Sequence, residues 1–202
     1  MNAFENGLLR YLNKTQLETI QSKKIGIGGA GGLGSNVAMI LVRSGFKHLE
    51  ILDQDVIDAS NLNRQQYFLN ELDQNKVVTL ADRLLQINPD LNIITHKATW
   101  SPQNASDYFN NCDYYVEAFD NADSKFEFVE YYQSTGKPII SGSGMAGLET
   151  KQPLRLKKMG NIYMIGDQAT DSTCGHPPMA PRVTACAAMM AEVVLDLTLG
   201  IE

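Results

Sequence analysis

The stretch "KIGIGGAGGLGSN", residues 24–36, decides how this chain is read. Alternating apolar residues run through a cluster of glycines into apolar residues at helical spacing, so a strand over 24–28 is expected to turn sharply into a helix over 33–44. Gly29, Gly31 and Gly34 fit the spacing G-x-G-x-x-G. Glycines in such a turn permit a tight bend, close backbone approach to a phosphate and close helix packing. The helix N-terminus beyond them offers free N–H groups and a partial positive charge. Asp53 ends the next predicted strand, 48–53, where an acid can accept from a ribose hydroxyl. This context favours a nucleotide over a merely structural turn. It leaves open whether the ligand is NAD, FAD or a mononucleotide.

Working outward, the same rhythm repeats. Leu8, Leu9, Leu12, Leu17 and Ile20 predict one short helical segment ahead of the first strand. A helix over 76–87 stops at Asn88-Pro89, a strand follows over 91–98, and Ser101-Pro102 should cap a short helix reaching about residue 109. A strand over 113–119, a helix over 122–135 ended by Gly136, and a strand over 138–141 continue the pattern. Shorter strands are expected over 148–156 and 161–166, then an irregular segment over 167–178 and a final apolar helix over 181–199. Alternation of strand and helix implies crossover connections. The expected fold is therefore a Rossmann-like, doubly wound α/β domain over 1–202, its sheet mostly parallel with extra antiparallel strands toward the C-terminus.

Composition narrows the function classes. A hydrophobic content of 44% over 202 residues suits one domain with a large core. The net charge of −6 and pI near 5.1 argue against a protein whose main task is to neutralise nucleic acid or a membrane surface. No apolar run approaches the roughly 20 residues that span a bilayer, and residues 1–14 lack the basic start and apolar middle of a secretory signal, so a cytoplasmic location is expected. Cys112, Cys174 and Cys186 are widely spaced, with no C-x-x-C pair, so neither a four-cysteine zinc site nor a disulfide framework is expected.

The segment "DQDVIDASNLNRQQYF", residues 53–68, separates the nucleotide classes. A hydride-transferring enzyme leaves the phosphates of its cofactor uncleaved and needs little positive charge beside them. A nucleotidyl transferase must stabilise charge growing on the α-phosphate and on the leaving pyrophosphate. Arg64 offers such a charge, and Asn61 can hydrogen-bond a phosphate or a ribose oxygen. Lys76 opens a helix, where a lysine opposes the helix dipole unless a phosphate lies nearby. In "EAFDN", residues 117–121, Asp120 stands at the C-terminal end of a strand, the edge where open α/β sheets bind ligands. Capping the next helix and binding magnesium are both open to it.

Taken together and in order, "GAGGLGSN", "ILDQDVIDASNLNRQ", Lys76, "QINP" and "AFDN" resemble the adenylating domain of the ThiF, MoeB and ubiquitin-activating-enzyme superfamily, and the short length most resembles the compact ThiF-like proteins of thiamine biosynthesis. The resemblance implies an ATP-dependent adenylyltransferase that activates the C-terminal glycine carboxylate of a small, ubiquitin-like, ThiS-like sulfur carrier protein ending in Gly-Gly. It implies that the loop of Gly29, Gly31 and Gly34 approaches the phosphates of ATP, that Asp53 binds the ribose, and that Asn61, Arg64 and Lys76 contact phosphates. Gln65 assists as a donor and Asp120 holds Mg2+. No general base is required, because the carboxylate is already a nucleophile.

"LLRY" at Arg10 is similar to an N-terminal arginine that members of this superfamily lend to the neighbouring active site, which implies a homodimer; a solvated arginine on the first helix is the alternative. Relatives commonly carry paired C-x-x-C motifs for a structural zinc, and this chain has none. Some also carry a loop cysteine that joins covalently to the carrier. Cys174, in "DSTCGHPPMAPRV", occupies a comparable position beside His176, either as a nucleophile or as an ordinary free thiol. Two other functions stay open: an NAD-dependent oxidoreductase, on the glycine loop alone, and a non-catalytic nucleotide- or carrier-binding module.

Overall fold

A computed structural model of the chain describes residues 1–144, 152–167, 169 and 177–201. Seven strands form one sheet: β1 (Lys24–Gly28), β2 (His48–Leu52), β3 (Asn92–His96), β4 (Tyr114–Glu117), β5 (Ile139–Gly142), β6 (Arg155–Met159) and β7 (Ile162–Gly166), in the order β3-β2-β1-β4-β5-β7-β6. All neighbours pair in parallel except β6, which runs antiparallel to β7 at the edge. The sheet grows from β1 in one direction through β2 and β3, then resumes with β4 on the other side. The reversal leaves a crevice between the carboxyl ends of β1 and β4.

Helices α1 (Ala3–Leu8), α2 (Lys14–Gln21), α3 (Gly32–Arg43), α4 (Lys76–Ile87), α5 (Ala122–Gln133) and α6 (Ala180–Leu199) complete the fold. Two buried clusters, one per face, hold it together. Ile25 and Ile27 of β1 pack with α3, α4 and α6 through Val37, Leu41, Leu80 and Met190. The alternate β1 positions, Gly26 and Gly28, face an aromatic cluster of Trp100, Phe109, Phe128 and Tyr132. A Cβ on Gly26 would lie 2.8 Å from the Phe109 ring, so the glycines of "KIGIG" admit aromatic side chains directly onto the sheet. Burying each such ring contributes roughly 1.5–3 kcal/mol.

Three expected elements differ. The single N-terminal helix is two, because Asn2 and Asn13 each start a capping box, with Glu5 and Gln16 respectively. The helix expected from Ser101-Pro102 to about residue 109 is only a 3-10 turn, Ala105–Asp107. Asn104 takes the Ser101 N–H and donates to the Thr99 carbonyl, while the Phe109 N–H, a donor that a helix would spend internally, goes to the buried Glu50 carboxylate at 2.7 Å. The strand expected over 148–156 begins at Arg155, since Pro153 lacks the N–H a ladder needs; residues 145–151 lie outside the described part of the chain.

The N-terminal helices are anchored at the end of the sheet where strands begin. Glu5 is buried and accepts from Lys47 Nζ at 2.7 Å and Gln21 Nε2 at 3.0 Å, while Asn2 donates to Asn88 Oδ1 at 2.6 Å. Burial alone would raise the Glu5 carboxyl, but Lys47 and the Asn2 N–H outweigh it and hold it below the usual carboxylate range.

Candidate functional site

A cavity of about 670 Å³ opens at the carboxyl ends of the strands, over the crevice between β1 and β4. Gly29, Gly31, Asp53, Arg64, Gln65, Lys76 and Asp120 all line it, so the structure brings seven of the expected site residues to one place.

The glycine loop is shaped by backbone demands. Gly29 has φ +99°, a conformation that favours glycine, and leads the chain from β1 past the Ala118 carbonyl. Gly34 lies inside α3 and does not line the cavity. A Cβ there would collide with the Gly29 carbonyl oxygen, so its role is close packing of α3 on the loop and not ligand contact. Gly31, the residue before α3, caps that helix with no side-chain bond of its own, and a Cβ on it would meet only Gln65 Nε2, 3.7 Å away. Gly31, Gly32 and Leu33 all line the cavity, so the N-terminus of α3 opens onto it, the arrangement that receives an anion.

Asp53 grips this loop: its Oδ2 accepts from the Ala30 N–H at 2.7 Å and its Oδ1 from the Asp55 N–H at 2.8 Å. Burial raises its pKa above the ordinary value, and those two bonds together with the Lys76 charge only partly offset the effect. Lys76, the first residue of α4, is buried with its Nζ 2.8 Å from Asp55 Oδ2. Arg64 Nη1 donates to Asn63 Oδ1 at 2.8 Å and to the Ser60 carbonyl at 3.2 Å. Gln65 is buried, and its Oε1 has no partner among the described residues. A buried polar atom left in this state costs about 1–3 kcal/mol, which a ligand or water supplying a donor would recover.

At the crest beyond β4, capping of α5 falls to Asn121, whose Oδ1 accepts from the Asp123 and Ser124 N–H groups. Asp120 is thereby released from that alternative. Its carboxylate is exposed at the cavity, and among the described residues nothing hydrogen-bonds to it. A single free carboxylate suits a hard cation that is otherwise held by phosphate oxygens and water; no group of three or more metal-binding side chains occurs among the described residues.

Besides Gly34, two expected site residues lie outside the cavity lining. Asn61 is in a 3-10 turn, Ala59–Asn61, and spends its Oδ1 on the Asp58 N–H at 3.2 Å; local competition from Asp58, which caps that turn, keeps it out of the cavity lining. Arg10 is exposed beyond α1, at the opposite end of the sheet from the cavity, so it does not serve the cavity of its own chain. Cys174 and His176 lie outside the described residues. Cys112 and Cys186 are buried, which pushes both thiols up to about 12.

Several lining residues escaped the sequence reading: Gln54, Asp55, Thr99, Trp100 and Lys125. Asp55 stood in the quoted motif, and a carboxylate 21 positions from a dipole-opposed lysine was its available signal. Trp100 and Lys125 carried none, since tertiary folding alone brings them to the cavity.

Fold and cavity together define a Rossmann-like α/β protein with its ligand cavity at the topological switch point. The chain belongs to the ThiF family, whose profile matches residues 5–202. It is 32% identical over 174 residues to the adenylyltransferase and sulfurtransferase uba4 of Aspergillus terreus, an alignment covering 83% of this chain and 35% of that one. It is 31% identical over 137 residues to the tRNA threonylcarbamoyladenosine dehydratase of Bacillus subtilis, covering 67% of this chain and 54% of that one. The chain thus spans about a third of the first protein's length and just over half of the second's. Among solved structures, the E. coli tRNA N6-threonylcarbamoyladenosine dehydratase in complex with ATP superposes with a TM-score of 0.85 at 20% identity, covering 96% of this chain and 93% of that one, a likeness of fold.

Proposed function

We propose that this chain is an ATP-dependent adenylyltransferase that activates the C-terminal glycine carboxylate of a small ubiquitin-like sulfur carrier, in a thiamine-type sulfur pathway, and that residues 1–202 act as one adenylating unit. The observation that carries the reading is the convergence of the α3 N-terminus, Arg64 and Lys76 with the free carboxylate of Asp120 around one cavity. Uba4 relatives named as adenylyltransferases and the ATP complex of the E. coli dehydratase agree with it.

On this reading the ATP phosphates lie against the N-terminus of α3, and Asp53 accepts from the ribose. Gln65 completes its amide bonding at the nucleotide. The carrier carboxylate attacks the α-phosphorus in line; a P–O bond forms to the acyl group as the bond to pyrophosphate breaks, giving a carrier acyl-adenylate and pyrophosphate. Arg64 and Lys76 stabilise charge on the phosphates as it shifts to the leaving group. Mg2+ held by Asp120 would neutralise phosphate charge. Arg10, remote from its own cavity, is assigned to the cavity of a second copy in a homodimer. Cys174 is assigned to covalent capture of the activated carrier.

The dehydratase relative favours a second reading, a carboxylate substrate on tRNA. The net charge of −6 weighs against it, because binding a nucleic acid is driven by neutralising phosphates. Carrier-dependent ATP–pyrophosphate exchange tests both: exchange with a carrier ending in Gly-Gly, lost when that dipeptide is deleted, is expected. No exchange with any such carrier, or exchange with tRNA instead, would sink the first reading. Tight NAD binding without ATP binding, read from the fluorescence of Trp100, would return the oxidoreductase alternative. Carrier binding without exchange would leave a binding module.

A further inference from the structure

Lys125 is a third cation on the cavity wall, and its surroundings separate it from Arg64 and Lys76. Its Nζ lies 3.1 Å from each of Glu117 Oε1, Glu117 Oε2 and the Gly142 carbonyl, so all three ammonium donors are spent. Glu117 is fully buried and equally saturated. Oε1 also accepts from the Phe119 N–H at 2.8 Å, and Oε2 from Ser141 Oγ at 2.6 Å. Lys125 has no donor left for a ligand, and Glu117 has no oxygen without two partners. What the network does is join three elements: the end of β4, the first turns of α5, and the end of β5.

The position of the joint gives it a purpose. The β4 ladder ends at Glu117, paired with Gly28 on one side and Ser141 on the other. Asp120 stands three residues further on, past the last strand pair. Between them, one bond draws the chain back, from the Phe119 N–H to the Glu117 side chain two residues earlier; from the other side, Lys125 ties α5, whose cap is Asn121, to the same carboxylate. Lysine in the first turns of a helix opposes the dipole, so Lys125 contributes little to α5 as a helix and much as a tie.

We propose that Glu117 and Lys125 are positioning residues that fix the crest carrying Asp120, and so set how well the cavity holds a magnesium–nucleotide complex. The inference rests on the ATP reading above. Neither residue touches the reactants, and both act through Asp120.

The test compares the full-length chain with Lys125→Arg, Lys125→Met and the double variant Glu117→Gln/Lys125→Met. Trp100 fluorescence follows ATP binding at graded Mg2+, and thermal denaturation is recorded beside it. Arginine can donate to both carboxylate oxygens, so Lys125→Arg should keep Mg2+ half-saturation within about threefold of the parent. Lys125→Met leaves a buried carboxylate without its counter-ion and stands to lose folding. The double variant removes both charges, folds, and should need roughly tenfold more Mg2+ for half-saturation, while ATP binding without metal changes little. Parent-like Mg2+ dependence in the folded double variant overturns the inference and leaves the ATP reading standing. A loss of ATP binding equal with and without metal also overturns it, as does failure of Lys125→Arg to restore Mg2+ dependence. Absence of ATP binding in the parent chain instead overturns the ATP reading, and this inference falls with it.

Discussion

Replacing Lys76 by methionine separates a phosphate ligand from a structural ion pair, because the two roles predict effects of different size in different assays. The Lys76 side chain is 7% exposed, whereas its partner Asp55 is 52% exposed at a separation of 2.8 Å. A pair with one member this open to water is worth about 0–1 kcal/mol. Methionine keeps the buried aliphatic length, so little packing is lost. For a chain of this size that stability change corresponds to a fall in Tm of no more than about 4 °C. On the proposed reading the catalytic cost is larger. Removing one preorganised group from the charge that develops in the transition state costs roughly 2.7–4 kcal/mol, about 10²- to 10³-fold in kcat for exchange. Asp55, freed from its partner, adds repulsion toward the phosphates. The double variant Lys76→Met/Asp55→Asn removes that repulsion and should recover part of the loss, not all. Pyrophosphate exchange with thermal denaturation alongside checks the prediction. Exchange within about threefold of the parent, or full recovery in the double variant, would refute the assignment of Lys76 to phosphate.

Protonation of Asp53 takes the charge from the acceptor proposed for the ribose and weakens it, and its pKa is raised by burial, so ATP affinity should fall as pH drops toward that raised value; fluorescence titrations should show the fall flattened in Asp53→Asn. The ionised form is the one that burial disfavours, so the same drop in pH relieves a folding cost at Asp53 instead of adding one. Gly34→Ala must push α3 away from the Gly29 carbonyl, lowering stability by about 1–3 kcal/mol and abolishing ATP binding; Gly31→Ala, whose added Cβ meets only Gln65 Nε2 at 3.7 Å, should lower Tm less than Gly34→Ala while still weakening ATP. Burial would raise the Glu50 carboxyl, but Lys24, the Phe109 N–H and His96 together hold it below its ordinary 4.5; the stability it contributes is present above that value and lost as pH falls through the lowered one, and acid denaturation of Glu50→Gln should lack this component. Cys112 and Cys186, with thiols raised to about 12, should resist iodoacetamide at pH 8 until the chain is unfolded, as mass spectrometry would show.

The parallel core was legible because its strands alternate or run apolar and its helices have local start and stop signals: Asn75 caps α4 at the expected first residue, and "KIGIG" puts isoleucines on one face and glycines on the other. The segment between β3 and β4 was not, since Phe109 and Trp100 follow a cluster assembled from distant strands and helices, and an N–H at Phe109 answers a carboxylate 59 residues away. The site divides in the same manner. Gly31, Asp53, Arg64, Gln65 and Lys76 lie within or just beyond strand-to-helix connections that the sequence marks, so their convergence follows from the topology. Asn61 is missing from the cavity lining, and a neighbouring aspartate supplies a local use for its side chain. Lys125 could not be found, since its partners Glu117 and Gly142 approach it only when β4 and β5 pair.

Charge pairing around the cavity supplies an order of events. Lys76 is matched by Asp55 and Lys125 by Glu117, whereas Arg64 meets only a carbonyl and an amide among the described residues. An arriving polyphosphate therefore meets no competing carboxylate at Arg64, but meets the Asp55 carboxylate beside Lys76. Asp55 is the partner able to yield, being half exposed, while Glu117 is buried and saturated and cannot. On the proposed reading, Arg64 and the α3 N-terminus make the first contact with phosphate, and Lys76, held beside Asp55, adds its remaining donors afterwards. Arg64 is itself aimed by Asn63, whose amide donates to the Pro178 carbonyl just ahead of α6. The first phosphate contact is thus tied, through Asn63, to Pro178 just ahead of α6.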